Sequence, residues 1–224
     1  MITILPETTK NPISLIGERA GVCWGSDTSD PKRNYNRGLN CIRQEHGRTW
    51  EFVNIELIIE GYSARVIREY YTHIGGSPTR LQMSTRYVDY ENFEYFTPDS
   101  IKNNPQAKTI YDEIMRDIQI GIKTLKDEGI MQEDIANVLP LGMHTKIIDK
   151  RNLRSLVDMS HQRMCSRAYE EYRKLFREIT DTLAAYSPEW EEVVNRLFRP
   201  KCEYKNKCVE KNPCRPEYKT GENT

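Results

Sequence analysis

From Val53 to Glu60 apolar and polar residues alternate. Val53, Ile55, Leu57 and Ile59 fall on one side, Asn54, Glu56 and Glu60 on the other, and Ile58 is the break. A period of two over this length predicts a strand with one buried face. Gly61-Tyr62-Ser63 predicts a turn, with Ser63 capping a helix whose stripe is Val66, Ile67 and Tyr70. That helix delivers Glu69 and His73 to a Gly75-Gly76-Ser77-Pro78 loop, and a polar run after it enters a strand. Residues 84–96 continue a strand-like pattern rich in Tyr and Phe. From Gln106 to Glu128, Ile110, Ile114, Ile118, Ile122 and Leu125 mark one helical face, and Gly129 is placed to end it. Val138-Leu-Pro-Leu141 follows, then a short strand around Thr145 to Ile148. From Asn152 to about Tyr186 the stripe Leu156, Met159, Ala168, Tyr172, Leu175, Ile179 and Leu183 predicts one long helix, or two in tandem. Ser187-Pro188-Glu189 starts another: Ser as cap, Pro at the first position, Glu in the first turn. Residues 1–40 give little periodicity. Ala20 to Trp24 reads as a short buried element and Ser26 to Asn40 as polar chain with turn formers. Helices dominate around a small sheet, which is an α+β or mixed α/β class.

Composition narrows this picture. The 224 residues suffice for one large domain or two small ones. Lys+Arg and Asp+Glu are both 33, so no electrostatic case exists for a nucleic-acid or membrane partner. The start lacks a basic segment followed by a long apolar run, and no stretch is apolar enough to span a bilayer; a cytoplasmic location is the expectation. Cys23, Cys41 and Cys165 are scattered. Cys202, Cys208 and Cys214 sit six apart in a Lys-, Asn- and Pro-rich tail, so residues 1–200 read as the folded domain and 201–224 as a Cys/Lys-rich extension. The six-residue spacing is not a common zinc pattern and a fourth ligand would have to come from afar. Reduced thiols are therefore the expectation, with a structural metal at Cys202, Cys208 and Cys214 as the open alternative.

The candidate chemistry gathers at Arg68 to Tyr87. Gly75 and Gly76 let backbone approach a ligand and turn N–H groups toward anionic oxygens. Arg80 and Arg86 can each meet a phosphate with two parallel hydrogen bonds. Ser77, Thr79, Gln82, Ser84 and Thr85 add hydroxyl and amide partners. The plain alternative is a solvated surface turn. Farther along, Asn152-Leu-Arg-Ser-Leu156, Asp158 and Arg163 place polar groups on a helix whose other face is apolar. Arg154 and Asp158 are four apart and can project toward one site, or form an exposed ion-pair face.

The loop segment resembles the signature of flavin-dependent thymidylate synthases, R-H-R-x-x-S-x-N-E-x-S-x-R-Y. His73 sits at the central His, and Ser84, Arg86 and Tyr87 fit the closing S-x-R-Y. Thr72 and Ile74 stand where the family has two arginines, Leu81 replaces the Asn, Gln82 replaces the Glu, and the loop is longer. Three further blocks follow the family's order: His46 and Glu51 before the strand, Val138-Leu-Pro-Leu141, and Asn152-Leu-Arg-Ser-Leu156 leading to Arg163-Met-Cys-Ser-Arg-Ala168. Ile135-Ala136-Asn137 stands where the family usually carries a phosphate-binding Arg.

The resemblance implies a central antiparallel-type sheet with long helices. It implies FAD held by His46, Arg48, Glu51, His73, Ile74, Asn152, Arg154 and Asp158. It places Glu69, Gln82, Ser84, Thr85 and Arg86 on the substrate dUMP, with Arg163 as the catalytic group that binds the pyrimidine and favours ionisation at N3. The implied reaction converts dUMP to dTMP, with methylenetetrahydrofolate as one-carbon donor and NADPH reducing the flavin. It implies a homotetramer with sites shared between subunits. Two other readings stay open: a flavin enzyme of the same fold acting on another pyrimidine nucleotide, and a non-catalytic nucleotide-binding protein.

Overall fold

The structure, a computed structural model, describes residues 1–218; positions 219–224 of the expected tail lie outside the described residues. Four strands, β1 (Ile2–Ile4), β2 (Asn54–Ser63), β3 (Thr79–Gln82) and β4 (His144–Asn152), form one antiparallel sheet in the order β1-β2-β4-β3. Val53, Ile55, Leu57 and Ile59 are all fully buried, as the alternation predicts. Ile58, half-buried on the polar side, does not break the pattern. The chain divides into two compact units. The larger holds residues 2–58, 73–80 and, among the described residues, the chain from 149 to 218; the smaller holds Met1 and residues 59–72 and 81–148.

In the larger unit the first forty residues are not the irregular chain expected. They form α1 (Pro12–Cys23) and α2 (Pro31–Arg43), followed by the short α3 (Gly47–Trp50). Asp30 caps α2, its carboxylate accepting from the N–H groups of Lys32 at 2.9 Å and Arg33 at 3.2 Å. The two helices pack through glycine. A Cβ on Gly17 would lie 1.7 Å from the Asn34 carbonyl oxygen, and one on Gly38 1.9 Å from that of Ile13. The expected Asn152–Tyr186 helix resolves into its tandem form, α8 (Leu153–Arg163) and α9 (Glu170–Tyr186). The start of α10 (Pro188–Leu197) is as predicted, with Ser187 Oγ accepting from the Trp190 N–H at 3.2 Å. Ile13, Ile16, Phe176, Ile179, Leu183 and Trp190 fill the core between α1, α9 and α10. A short α11 (Lys201–Lys205) contacts α8.

In the smaller unit Ser63 caps α4 (Ala64–Tyr71), accepting from the Val66 N–H at 3.2 Å. The short α5 (Asp99–Lys102) and α7 (Gln132–Ile135) flank the long α6 (Pro105–Asp127). Gly129, with φ +77°, lies just past its end. Two expectations need correction. Residues 84–96 form turns and one isolated bridge, Tyr95 to Met143, not a strand. Their aromatic residues Tyr90 and Phe93 serve instead as plugs in a cluster with Met115, Ile122, Ile135 and Met143. The α6 stripe is only partly inward: Ile122 is buried, but Ile110 and Ile114 are each 51% exposed.

Candidate active site

The larger unit organises its polar residues around α8. On β4, Asp149 and Arg151 are fully buried and pair through two parallel hydrogen bonds of 2.6 and 2.7 Å. An ion pair in such a setting is tolerated because the guanidinium fork and the carboxylate satisfy one another. The strand then ends at Asn152, whose side-chain oxygen accepts from the Ser155 N–H at 2.9 Å and so starts α8. Gly76 packs on the same side chain. Its φ is +75°, and a Cβ there would lie 2.5 Å from Asn152 Nδ2, so glycine is required both by conformation and by space.

In the first turn of α8, Arg154 Nη1 donates to Glu51 Oε1 at 2.7 Å, and Arg48 Nη1 reaches the other oxygen of Glu51 at 3.4 Å. His46 is the N-cap residue of α3 and is exposed. The next residue, Gly47, lies against Arg154, where a Cβ would come within 3.3 Å of Nε. Asp158 is exposed one turn after Arg154. At the far end of α8, Arg163 Nε donates to His73 Nε2 at 2.9 Å. The Arg163 guanidinium also lies over the Tyr172 ring at 4.7 Å, and the His73 ring meets Tyr172 edge-on at 6.4 Å. Burial, then the charges of Arg163 and Arg151, push the His73 imidazole down to about 4. A neutral ring is what an acceptor for an arginine N–H must be.

Thus the structure gathers His46, Arg48, Glu51, His73, Asn152, Arg154, Asp158 and Arg163 in one unit, on α3, the Gly75-Gly76 turn and α8. Ile74 is on that turn, 71% exposed. The other expected residues belong to the smaller unit. Glu69 lies on α4 and Gln82 ends β3, its amide donating to Thr145 Oγ1 at 3.3 Å. Thr85 is half-buried in the turn that follows, where Ser84 Oγ accepts from the Arg86 N–H at 3.2 Å. Arg86 Nε donates to Glu133 Oε2 at 2.8 Å, and its side chain is largely exposed. The sequence did not mark the contacts of Tyr172 with Arg163 and His73, or the charge that Arg151 exerts on His73. Tyr172 looked like one more core residue of a helical stripe, and no motif marked Arg151.

A third cluster occupies the end of the chain. His161 stacks on Tyr204 of α11, with ring centroids 4.3 Å apart. Burial and a hydrogen bond to Glu45 push the Tyr204 hydroxyl up to about 12. Beside it, a cavity of about 310 Å³ is lined by His161, Arg163 and the four cysteines 165, 202, 208 and 214.

FAD chemistry calls for cations and close-approaching backbone toward a diphosphate, and for hydrogen-bonding groups toward a ring system. The exposed Arg48 and Arg154, the imidazole of His46 and the tight Gly76 turn against Asn152 fit that demand.

Comparison with known proteins agrees. The family model for thymidylate synthase complementing protein, Thy1, matches residues 4–189. A flavin-dependent thymidylate synthase of Clostridium tetani is 27% identical over 209 residues, covering 82% of this chain and 82% of that one. One of Nitratidesulfovibrio vulgaris is 30% identical over 180 residues, covering 75% of this chain and 70% of that protein. The fold is shared with thymidylate synthase X from Helicobacter pylori, crystallised with FAD and dUMP, at a TM-score of 0.64 and 18% identity over 82% of this chain and 93% of that one. The family match runs from the end of β1 to the start of α10 and takes in every expected site residue from His46 to Arg163, so the chain belongs to the thymidylate synthase complementing protein family.

Proposed function

We propose that the protein is a flavin-dependent thymidylate synthase, converting dUMP to dTMP with methylenetetrahydrofolate as one-carbon donor and NADPH as reductant. The observation that carries this is the arrangement at Arg163. A permanently charged planar group is held from one side by neutral His73 and from another by the Tyr172 ring, at the end of the helix whose start bears Asn152 and Arg154. FAD, when bound, supplies the hydride that completes the methyl group. Arg163 binds the pyrimidine edge and stabilises the negative charge that develops at N3 as C5 becomes nucleophilic. His73 accepts the Arg163 N–H and fixes the direction of the guanidinium. His46, Arg48, Glu51, Ile74, Asn152, Arg154 and Asp158 hold the flavin. Glu69, Gln82, Ser84, Thr85 and Arg86 hold the nucleotide, with Arg86 exchanging Glu133 for the phosphate. No thiol nucleophile enters this scheme.

The active form in this reading is a homotetramer with sites shared between subunits. The exposed Ile110 and Ile114 on α6 support it, as apolar positions one turn apart suited to a subunit contact. No helix is long and apolar enough to cross a membrane among the described residues, and the proposed location is the cytoplasm.

The test is a spectrum and an assay. The purified protein should be yellow and oxidise NADPH in a dUMP-stimulated manner and, with methylenetetrahydrofolate supplied, release the C5 proton of dUMP and form dTMP. Arg163→Ala should lower dTMP formation by at least about a hundredfold, the scale of losing one preorganised charge at the reacting group, while flavin absorbance persists. A colourless protein that takes up no FAD would overturn the reading. A second reading, a flavin enzyme for another pyrimidine nucleotide, draws on Thr72, Ile74 and Gln82 standing where the signature has Arg, Arg and Glu. Turnover of UMP or dCMP in preference to dUMP would favour it.

A further inference from the structure

We propose that Arg173, Arg177, Arg199 and Arg215 form a binding site for an oligophosphate, the chain of linked phosphates that inorganic tripolyphosphate and nucleoside triphosphates share. The four line one cavity of about 210 Å³ beside the first half of α9. None of the residues assigned above to flavin or nucleotide belongs to its lining. Arg199, Glu203 and Arg215 lie past residue 189, where the family match ends, so most of the charged wall is contributed by chain beyond the matched region. The site stands whether or not the protein makes dTMP.

Each arginine reaches the cavity from a different place. Arg173 and Arg177 are one turn apart on α9, and like charges at that spacing repel. Arg173 is held in position, its Nη1 donating to the carbonyl oxygens of Ser166 and Ala168, the latter at 3.0 Å. Arg177 is exposed, and no carboxylate of the described residues pairs with it. Arg199 comes from the link between α10 and α11. Its guanidinium lies over the Tyr204 ring at 5.6 Å, and its Nε is buried without a hydrogen-bond partner. A buried N–H with no acceptor costs free energy until an acceptor arrives. Arg215 enters from beyond α11 and pairs with Glu203.

The wall selects the ligand. Among the described residues of the lining Glu203 is the one carboxylate, so four positive charges face one negative. This happens in a chain whose total charge balances to zero. Met164, Phe198 and Pro200 complete the lining and bring no charge to offset it. Guanidinium forks call for an anion with paired oxygens. A single carboxylate has two oxygens and satisfies one fork. An oligophosphate carries oxygens all along a short chain. It can accept at once from forks that arrive from α9, from the α10–α11 link and from the tail. Planar guanidiniums hold such a group by direction as well as by charge, which ammonium groups do not. The bound anion would give the Arg199 Nε the acceptor it lacks, relieve the repulsion between Arg173 and Arg177, and tie the chain beyond α10 to α9.

The test is calorimetric titration of the full chain with sodium tripolyphosphate, with FAD and dUMP in excess so that the flavin and nucleotide sites are filled. One saturable site per chain is expected. Arg177→Gln and Arg199→Gln should each weaken binding about tenfold or more, the worth of one charged hydrogen bond. Lys174→Gln, at an exposed position of α9 outside the lining, should leave it unchanged. If Arg199→Gln does not fold, the exposed Arg177→Gln decides. ATP that competes with tripolyphosphate supports the site and identifies a nucleotide as the source of the phosphates; tripolyphosphate bound with ATP excluded supports it with the inorganic chain as the source. No saturable binding by the wild-type chain, binding unaltered in Arg177→Gln, an equal loss in Lys174→Gln, or pentaglutamate bound more tightly than tripolyphosphate would each overturn the proposal.

Discussion

In the proposed reading Arg163 depends on two neighbours of different kinds. His73 fixes one edge of the guanidinium through a hydrogen bond, and Tyr172 supports its face. A cation over an aromatic ring is worth about 0.5–2 kcal/mol. Tyr172→Leu should therefore lower kcat about tenfold while leaving bound flavin unchanged, and Tyr172→Phe, which keeps the ring, should restore it. Steady-state kinetics of the pair separates orientation from mere packing. His73 also makes a pH prediction. Its folded-state value of about 4 lies below the ordinary 6.5, so between these values the unfolded chain binds more protons than the folded one. The stability tied to neutral His73 is fully present above about pH 6.5. It falls as the pH drops toward about 4, and His73→Gln should remove that slope from denaturant titrations run at pH 7 and pH 5. His73 and Arg163 were legible in the sequence because a spaced motif marks them. Tyr172 was not, since a ring that packs a core and a ring that supports a cation occupy the same place in a helical stripe.

The elements that escaped the pattern did so for identifiable physical reasons. Helices α1 and α2 meet at Gly17 and Gly38, where the backbone of one helix touches the other. Packing through absent side chains leaves no apolar period to read, and glycine lowers helix propensity besides. Gly38→Val should consequently destabilise the fold by about 2 kcal/mol or more, as overpacking does, with a lowered denaturation midpoint in circular dichroism. Residues 84–96 misled in the opposite sense. Tyr and Phe favour strands when half-buried on a pleated surface, yet here Tyr90 and Phe93 are core plugs on a turn-rich segment. Signals that rest on local chemistry were reliable: Ser63 and Ser187, read as caps, both sit at the N-cap positions of helices and accept the expected N–H groups.

At the scale of the molecule, α6 presents Ile110 and Ile114 to the exterior of the chain. In the tetrameric reading these positions are covered by another subunit. Ile110→Glu combined with Ile114→Glu should then shift the protein to smaller species in light scattering, with loss of dTMP formation. The family's order of blocks was legible across the chain because it is a matter of sequence spacing. The division into two units was not, because its boundary falls inside β2 and β4, within continuous strands where composition does not change. Helix α8 has a consequence for how such proteins can diverge. It works as a ruler: Asn152, Arg154, Asp158 and Arg163 are graduations along eleven helical residues and their cap. Each residue advances the direction of a side chain by about 100°. Lineages can exchange the letters at these marks and still bind something, but a single insertion or deletion between Arg154 and Arg163 would put the two ends out of phase. Drift in this stretch should be by substitution and never by length.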